Sequence, residues 1–449
     1  MMDSFNSFLY STPEMSEVFS LEAQLRAMMQ FEWALSCALE KHGLAATGSG
    51  EALASLLDVD FADADLLFIE ARCSGNLAIP FVRQLTRAVE ERSSDAARTV
   101  HLGATSQDAL DTALVLQLHS AIQLLDAAIE KLECALESLV KRHASTLLTG
   151  RTWLQAGPPT TLGLKFAGTL AALRRHRLRL HASAERVLVL EFGGAVGTRA
   201  ALGDAGDNVA TEVARLLKLE EPEIPWHTQR DNVVEFVQVL ALLTGTLAKF
   251  AKDVALLMQS EVGEVSEDRA EGRGGSSSMP QKHNPVACAA VLAVHATMPG
   301  LVTSMLAAMP QEHERGLGLW QAEWETVPEV CRRASAALAY AAEIAETLEV
   351  HKERMKDNFD SLLGLPMAEA VSMALASKLG KAKSHAMVRD ATQRAEQTGT
   401  QLAEILKRTP EVTLHLTEAQ IDSLLDPLRY LGSTQQFIHR VLGAVRVKD

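Results

Sequence analysis

Apolar residues recur through the middle of this chain in steps of four and three. Leu118, Ile122, Leu125, Ile129, Leu132, Leu136 and Leu139 form one run, and Phe236, Leu240, Leu243, Leu247, Phe250, Val254 and Leu257 form a second. Shorter versions are Val291, Val294, Met298, Leu301, Met305 and Val330, Ala334, Ala337, Ala341, Ile344, Leu348. A sustained seven-residue repeat keeps one apolar stripe facing a neighbour, so these segments predict near-parallel helices with a left-handed twist. At ~1.5 Å per residue, each of the two longer runs spans about 30–40 Å. Pro299 is expected to kink its helix. Before residue 112 the helical pattern is broken, with a polar interruption from Asp58 to Asp63. Beyond Leu363 shorter helices follow, punctuated by Gly364, Pro366, Gly380, Gly399 and Pro410. Strand signals are almost absent. The pattern predicts an all-α protein with a helical domain over 1–112, a long-helix bundle over 113–362 and a second small helical domain over 363–449.

Composition changes this picture little. Hydrophobic residues make up 47% of the chain and aromatics 5%, with Ala and Leu dominant, which favours helix. Charge adds more. With 43 basic and 57 acidic residues the net charge is −14, which argues against nucleic acid as a partner. An enzyme this acidic needs a local cluster of positive groups to hold a polyanion. Cys37, Cys73, Cys134, Cys288 and Cys331 form no paired spacing and are expected to be small core residues in a cytoplasmic protein. No secretory leader is recognised, and no apolar run is expected to reach membrane-spanning length.

Chemistry concentrates in three segments. Residues 271–285 read Glu-Gly-Arg-Gly-Gly-Ser-Ser-Ser-Met-Pro-Gln-Lys-His-Asn-Pro, and the glycines at 272, 274 and 275 with Pro280 exclude a helix there. A polar loop holding three hydroxyls, a lysine and an amide thus interrupts two helical stretches. His101-Leu-Gly-Ala-Thr-Ser-Gln-Asp108 precedes the first long helix, where Ser106, Asp108 or Asp111 could cap the helix and its N-terminus attract an anion. The third segment is Gly150-Arg-Thr-Trp-Leu-Gln-Ala-Gly-Pro-Pro-Thr-Thr-Leu-Gly163. Other features carry less. Gly193-Gly-Ala-Val-Gly197 follows a helical pattern and reads as a turn. Glu312-His313-Glu314 lacks a second histidine for zinc. The basic run Arg174–Arg179 reads as a solvated or intersubunit helix face.

The loop's Gly-Ser-Ser-Ser-Met-Pro-Gln-Lys-His-Asn text resembles the fumarase/aspartase superfamily signature, Gly-Ser-Ser-x-Met-Pro-x-Lys-x-Asn. His101–Asp108 is similar to the superfamily's other signature, His-x-Gly-x-Thr-Ser-x-Asp, and is complete. The resemblance covers essentially the whole chain. It implies bond cleavage or formation beside a carboxylate-stabilised carbanion, a homotetramer with shared active sites, and no metal or organic cofactor. It implies catalytic roles for Ser276 and Lys282. It implies substrate binding by Thr105, Ser106, Thr152, Trp153, Gln155, Thr160, Ser277, Asn284 and Arg315.

The third segment departs from most of the superfamily. Adenylosuccinate lyases resemble it but carry His where this chain has Trp153 and Ala156, and the second of those histidines is their general acid. A further active-site His expected near 75 is replaced by the text Arg72-Cys-Ser-Gly-Asn76, and Trp324 stands where those lyases keep an arginine. A basic leaving group must be protonated as it departs, whereas a carboxylate, with a pKa of about 4, leaves as an anion. Lactone chemistry meets that condition. The Gly-Arg-Thr-Trp-Leu-Gln text is also similar to the superfamily branch that lactonises a carboxymuconate in protocatechuate breakdown. The expected substrate is therefore a small polycarboxylate. Another superfamily lyase, foremost adenylosuccinate lyase, and a non-catalytic scaffold are the alternatives; the intact Ser276, Lys282 and Asn284 set disfavours the latter.

Overall fold

The computed structural model describes residues 9–59, 61–268 and 273–444. Its main elements are helical, and the apolar runs fall inside them. Helix α1 spans Leu21–Lys41, α2 Ser106–Arg142, α3 Leu162–Val187, α4 Asp231–Leu257, α5 Val286–Ala308 and α6 Leu319–Thr347. Every residue of the two long apolar runs is buried. Local chemistry starts the helices: the Ser20 hydroxyl accepts from Ala23 N at 3.1 Å and so caps α1. Helix α5 continues through Pro299.

Contacts divide the chain into two compact units. One comprises Met1–Ile129, His176–Gly245 and Ala293–Ala339; the other comprises Glu130–Arg175, Thr246–Leu292 and Tyr340–Asp449. In the first, Met28, Leu53, Leu67, Phe81, Leu85 and Trp320 share an apolar core. In the second, Val371, Leu375, Leu402, Leu406 and Ile421 form another.

Four expectations need correction. Strand is present where none is expected: β1 (Leu147–Thr152) pairs antiparallel with β2 (Gln155–Thr161). The turn residues Trp153 and Leu154 have φ of 54° and 63°, the left-handed pair that suits a two-residue hairpin. A bulge lies between Thr149 and Arg151, where a side chain on Gly150 would sit 2.4 Å from the Pro158 carbonyl. A two-stranded ribbon is all edge, so Pro158 and Pro159 do not disqualify it. Second, α2, α4 and α5 are each long and apolar enough to cross a membrane by length and composition. They are the helices of the heptad runs, and their alanines make the composition more apolar than the stripes alone indicate. Third, the basic run is not all solvated. Arg177 and Arg174 are buried against Asp126 and Glu137, because a buried guanidinium needs a carboxylate partner. Fourth, Cys288 and Cys331 are buried, but Cys73 and Cys134 are exposed.

Candidate active site

The site residues of the first unit gather where α2 begins. Positive φ at His101 (60°) and Gly103 (79°) bends the chain sharply before the helix. The His101 ring Nδ1 lies 2.6 Å from the fully buried Glu32 carboxylate. Burial opposes charge on the imidazole, but Glu32, and Asp108 further off, outweigh it and hold its pKa above the ordinary value. Thr105 N donates to Asp108 Oδ2 at 2.9 Å, placing Asp108 in the reciprocal position of a helix cap. Thr105 and Ser106 are half-buried.

Asp108 holds more than the cap. It accepts from Gly193 N and Gly194 N, each at 2.9 Å, and lies 2.7 Å from His227 Nε2. The Gly193–Gly197 turn, expected only as a turn, is thus wrapped on a carboxylate. Its carbonyls hold Arg315, which donates to Ala195 O at 2.9 Å and Gly194 O at 3.4 Å. The same guanidinium donates to Gln107 Oε1 at 2.9 Å. These three partners are neutral oxygens, and Gln107 lies one residue beyond Ser106. Below it, Arg230 is completely buried between Asp111 (2.7 Å) and Glu323 (2.6 Å) and lies 4.6 Å over the Trp226 ring. Trp324, at the position of the relatives' arginine, packs edge-on to Trp320 with ring centroids 4.9 Å apart.

The other site residues belong to the second unit. Ser276 Oγ accepts from Met279 N at 3.2 Å, and Lys282 N donates to Met279 O at 3.0 Å. One residue's backbone therefore joins Ser276 and Lys282 on a single turn. Asn284 closes the segment, its N donating to Gly274 O at 2.8 Å and its Nδ2 to Gly275 O at 3.2 Å. Gly274 has φ 63°, and a side chain there would lie 2.7 Å from the Asn284 carbonyl, so only glycine fits. Glu267 anchors the far end by accepting from Ala287 N and Cys288 N at the start of α5. Ser277 and Lys282 are exposed. Glu271 and Gly272 lie outside the described residues.

The hairpin carries Thr152, Trp153, Gln155 and Thr160. Thr152 and Gln155 pair directly across the turn. Trp153 stands at the tip, 98% exposed. Next to the Thr152 and Gln155 pair, Arg151 braces the turn end of the hairpin through Glu264 at 2.7 and 2.9 Å, and Asn358 adds a bond to the same carboxylate at 2.9 Å.

The first unit thus assembles Thr105, Ser106 and Arg315. The second collects Ser276, Ser277, Lys282 and Asn284 on one turn, and the remaining four on one hairpin. Sequence reasoning missed Glu32, Glu191 and His227, which lie far from α2's start in the chain. Glu32 and Glu191 carry one signal, an acidic side chain inside an otherwise apolar stretch, whereas His227 sits in the polar text Trp226-His-Thr-Gln-Arg230 and carries none.

Residues 7–300 match the family described as lyase, and residues 364–441 match the family described as adenylosuccinate lyase C-terminus. The chain belongs to the fumarase/aspartase superfamily of lyases. A 3-carboxy-cis,cis-muconate cycloisomerase from Pseudomonas aeruginosa is 46% identical over 439 residues, covering 98% of this chain and 95% of that protein. One from Acinetobacter baylyi is 39% identical over 443 residues, covering 98% of each. The crystal structure of the 3-carboxy-cis,cis-muconate lactonizing enzyme from Pseudomonas putida matches with a TM-score of 0.94 at 46% identity, covering 98% of both chains.

Proposed function

We propose that this protein interconverts 3-carboxy-cis,cis-muconate and 4-carboxymuconolactone, as its similarity to the cycloisomerases supports. The observation that carries the reading is the hairpin tip. Its turn carries Trp153 and the strand that follows carries Ala156, neither able to donate a proton to a leaving group, where amine-eliminating relatives keep histidines. In lactonisation one substrate carboxylate oxygen bonds to an alkene carbon. The displaced electron pair moves to the neighbouring carbon and spreads into its carboxylate as an enediolate. A proton then enters at that carbon, and the reverse steps open the ring. Lactonisation thus takes up one proton as a carboxylate becomes an ester, and ring opening returns it; no atom changes hands otherwise, and the leaving group in the reverse direction is a carboxylate that needs no acid.

Lys282 supplies positive charge to the enediolate and Ser276 handles the proton, with the turn amides and Lys282 biasing the hydroxyl. Thr105, Ser106, Thr152, Trp153, Gln155, Thr160, Ser277, Asn284 and Arg315 hold and orient the polycarboxylate. The acting form is a cytoplasmic homotetramer with shared sites, working in protocatechuate breakdown. Two features favour assembly: Trp153 is 98% exposed, and only 28% of the most apolar stretch of α5 is buried within the chain.

Ultraviolet absorbance tests the reaction. Purified protein should bleach the conjugated diene of 3-carboxy-cis,cis-muconate and leave adenylosuccinate intact. Cleavage of adenylosuccinate without loss of the diene signal would reverse the assignment.

A further inference from the structure

We infer that Asp108, His227 and Glu191 form a buried clamp that positions the carboxylate-binding groups of the first unit, namely the Thr105 and Ser106 hydroxyls and the Arg315 guanidinium. The inference rests on reading those three residues as substrate contacts. None of the clamp residues need touch substrate; they are positioning residues.

Asp108 is 0% exposed, and a carboxylate so placed is tolerated only when its oxygens are fully used. Three backbone donors and one imidazole nitrogen use them: Thr105 N, Gly193 N and Gly194 N at 2.9 Å, and His227 Nε2 at 2.7 Å. A carboxylate offers about four lone-pair directions, so this one is saturated. The donors come from three stretches that are distant in the chain. The Thr105 bond fixes the backbone that carries the two hydroxyls. The Gly193 and Gly194 bonds fix the turn whose carbonyls grip Arg315. One side chain therefore sets the spacing between hydroxyls and guanidinium. The glycines permit it: a side chain on Gly194 would lie 2.8 Å from the Gly103 carbonyl, and one on Gly193 would crowd Pro225 and His227.

Glu191 completes the clamp from the far side of the imidazole. Its Oε2 accepts from Trp226 N at 2.7 Å, while Oε1 lies 3.2 Å from His227 Nε2 and has no hydrogen-bond partner of good geometry. The ligand-type atoms of Asp108, Glu191 and His227 fall within 4.8 Å of one another, a spacing that would suit a small cation. A cation there would have to displace the backbone N–H donors that already occupy Asp108. Burial, then the charges of Asp108 and Asp111, push the Glu191 carboxyl well above the usual range. The imidazole of His227 is thus held between the carboxyl groups of Asp108 and Glu191.

The test measures affinity for tricarballylate, a non-reacting tricarboxylate, alongside kcat and KM. Asp108→Asn turns one saturated acceptor into a donor facing N–H groups. His227→Gln removes the bridge. Each should weaken tricarballylate binding and raise KM by about 10–100-fold, the range for losing a charge-assisted contact, with kcat changed by less than about threefold. Glu191→Leu should behave likewise, and Glu191→Gln, which keeps the shape of the neutral acid, should recover most of the loss. The coupling is decisive. Arg315→Ala should weaken binding strongly in wild type and little in Asp108→Asn, because Arg315 is already displaced there. If Asp108→Asn fails to fold, the same cycle is run with His227→Gln. Full additivity, unchanged affinity in folded variants, or no tricarballylate binding by wild type would overturn the clamp. A wild type inert on carboxymuconate whose tricarballylate cycle still couples would remove the proposed reaction and leave the clamp standing.

Discussion

Lys282 is exposed on the turn it shares with Ser276. Lys282→Ala should lower turnover by about 10²–10³-fold, the range for one lost charge-stabilising donor, with an unchanged circular-dichroism spectrum. Near-normal turnover would remove its role. Ser276 and Ser277 are separable by single alanine variants: loss confined to Ser277→Ala would move the proton-handling role to that neighbour. His101 makes a different prediction, about stability. Its folded pKa lies above the ordinary value of about 6.5, so the Glu32 pair contributes in full below that pH. The contribution is lost as pH rises through the folded value. The gap in melting temperature between wild type and His101→Gln should therefore narrow toward alkaline pH. A gap that widens would contradict the charged pair.

At the scale of elements, the hairpin joins fold to specificity. Trp153→His with Ala156→His restores the superfamily text on β2 and its turn. The double variant should lose lactonisation without gaining substantial adenylosuccinate cleavage, because Trp324 still packs on Trp320 where those relatives keep an arginine. Robust cleavage would show that the pocket is not committed to its substrate. The heptad helices were legible because a buried stripe must repeat at the helix period, and Leu125 or Phe250 has no other reason to recur as it does. The hairpin was not legible. Its turn uses Trp153 and Leu154 in the left-handed region without Gly or Asn, and its second strand carries Pro158 and Pro159. The loop with Ser276 and Lys282 was legible as a motif; the carboxylates behind Thr105 were not, since Glu191 and His227 meet Asp108 only in three dimensions.

For the whole molecule, the proposed shared sites predict complementation. Lys282→Ala and a variant inactive through the 150–163 segment should regain part of the activity when partially unfolded together and reassembled, as some sites would draw both intact segments from different chains. Verified mixed tetramers with no activity, or a fully active wild-type monomer by sedimentation, would end that proposal. The melting temperature should also rise with protein concentration if the uncovered face of α5 is buried by assembly.

The first compact unit is assembled from three separate stretches, the last being Ala293–Ala339. On a ribosome that adds about 5–20 residues per second, Met1–Ile129 must therefore wait roughly 10–40 s for its closing partner to be synthesised. Meanwhile the apolar stripe of α2 emerges with nothing of that stretch to pack on. Slowing translation between Glu130 and Leu292 should thus increase recruitment of nascent-chain chaperones and lower soluble yield, whereas slowing it beyond Ala339 should leave the first unit's folding untouched.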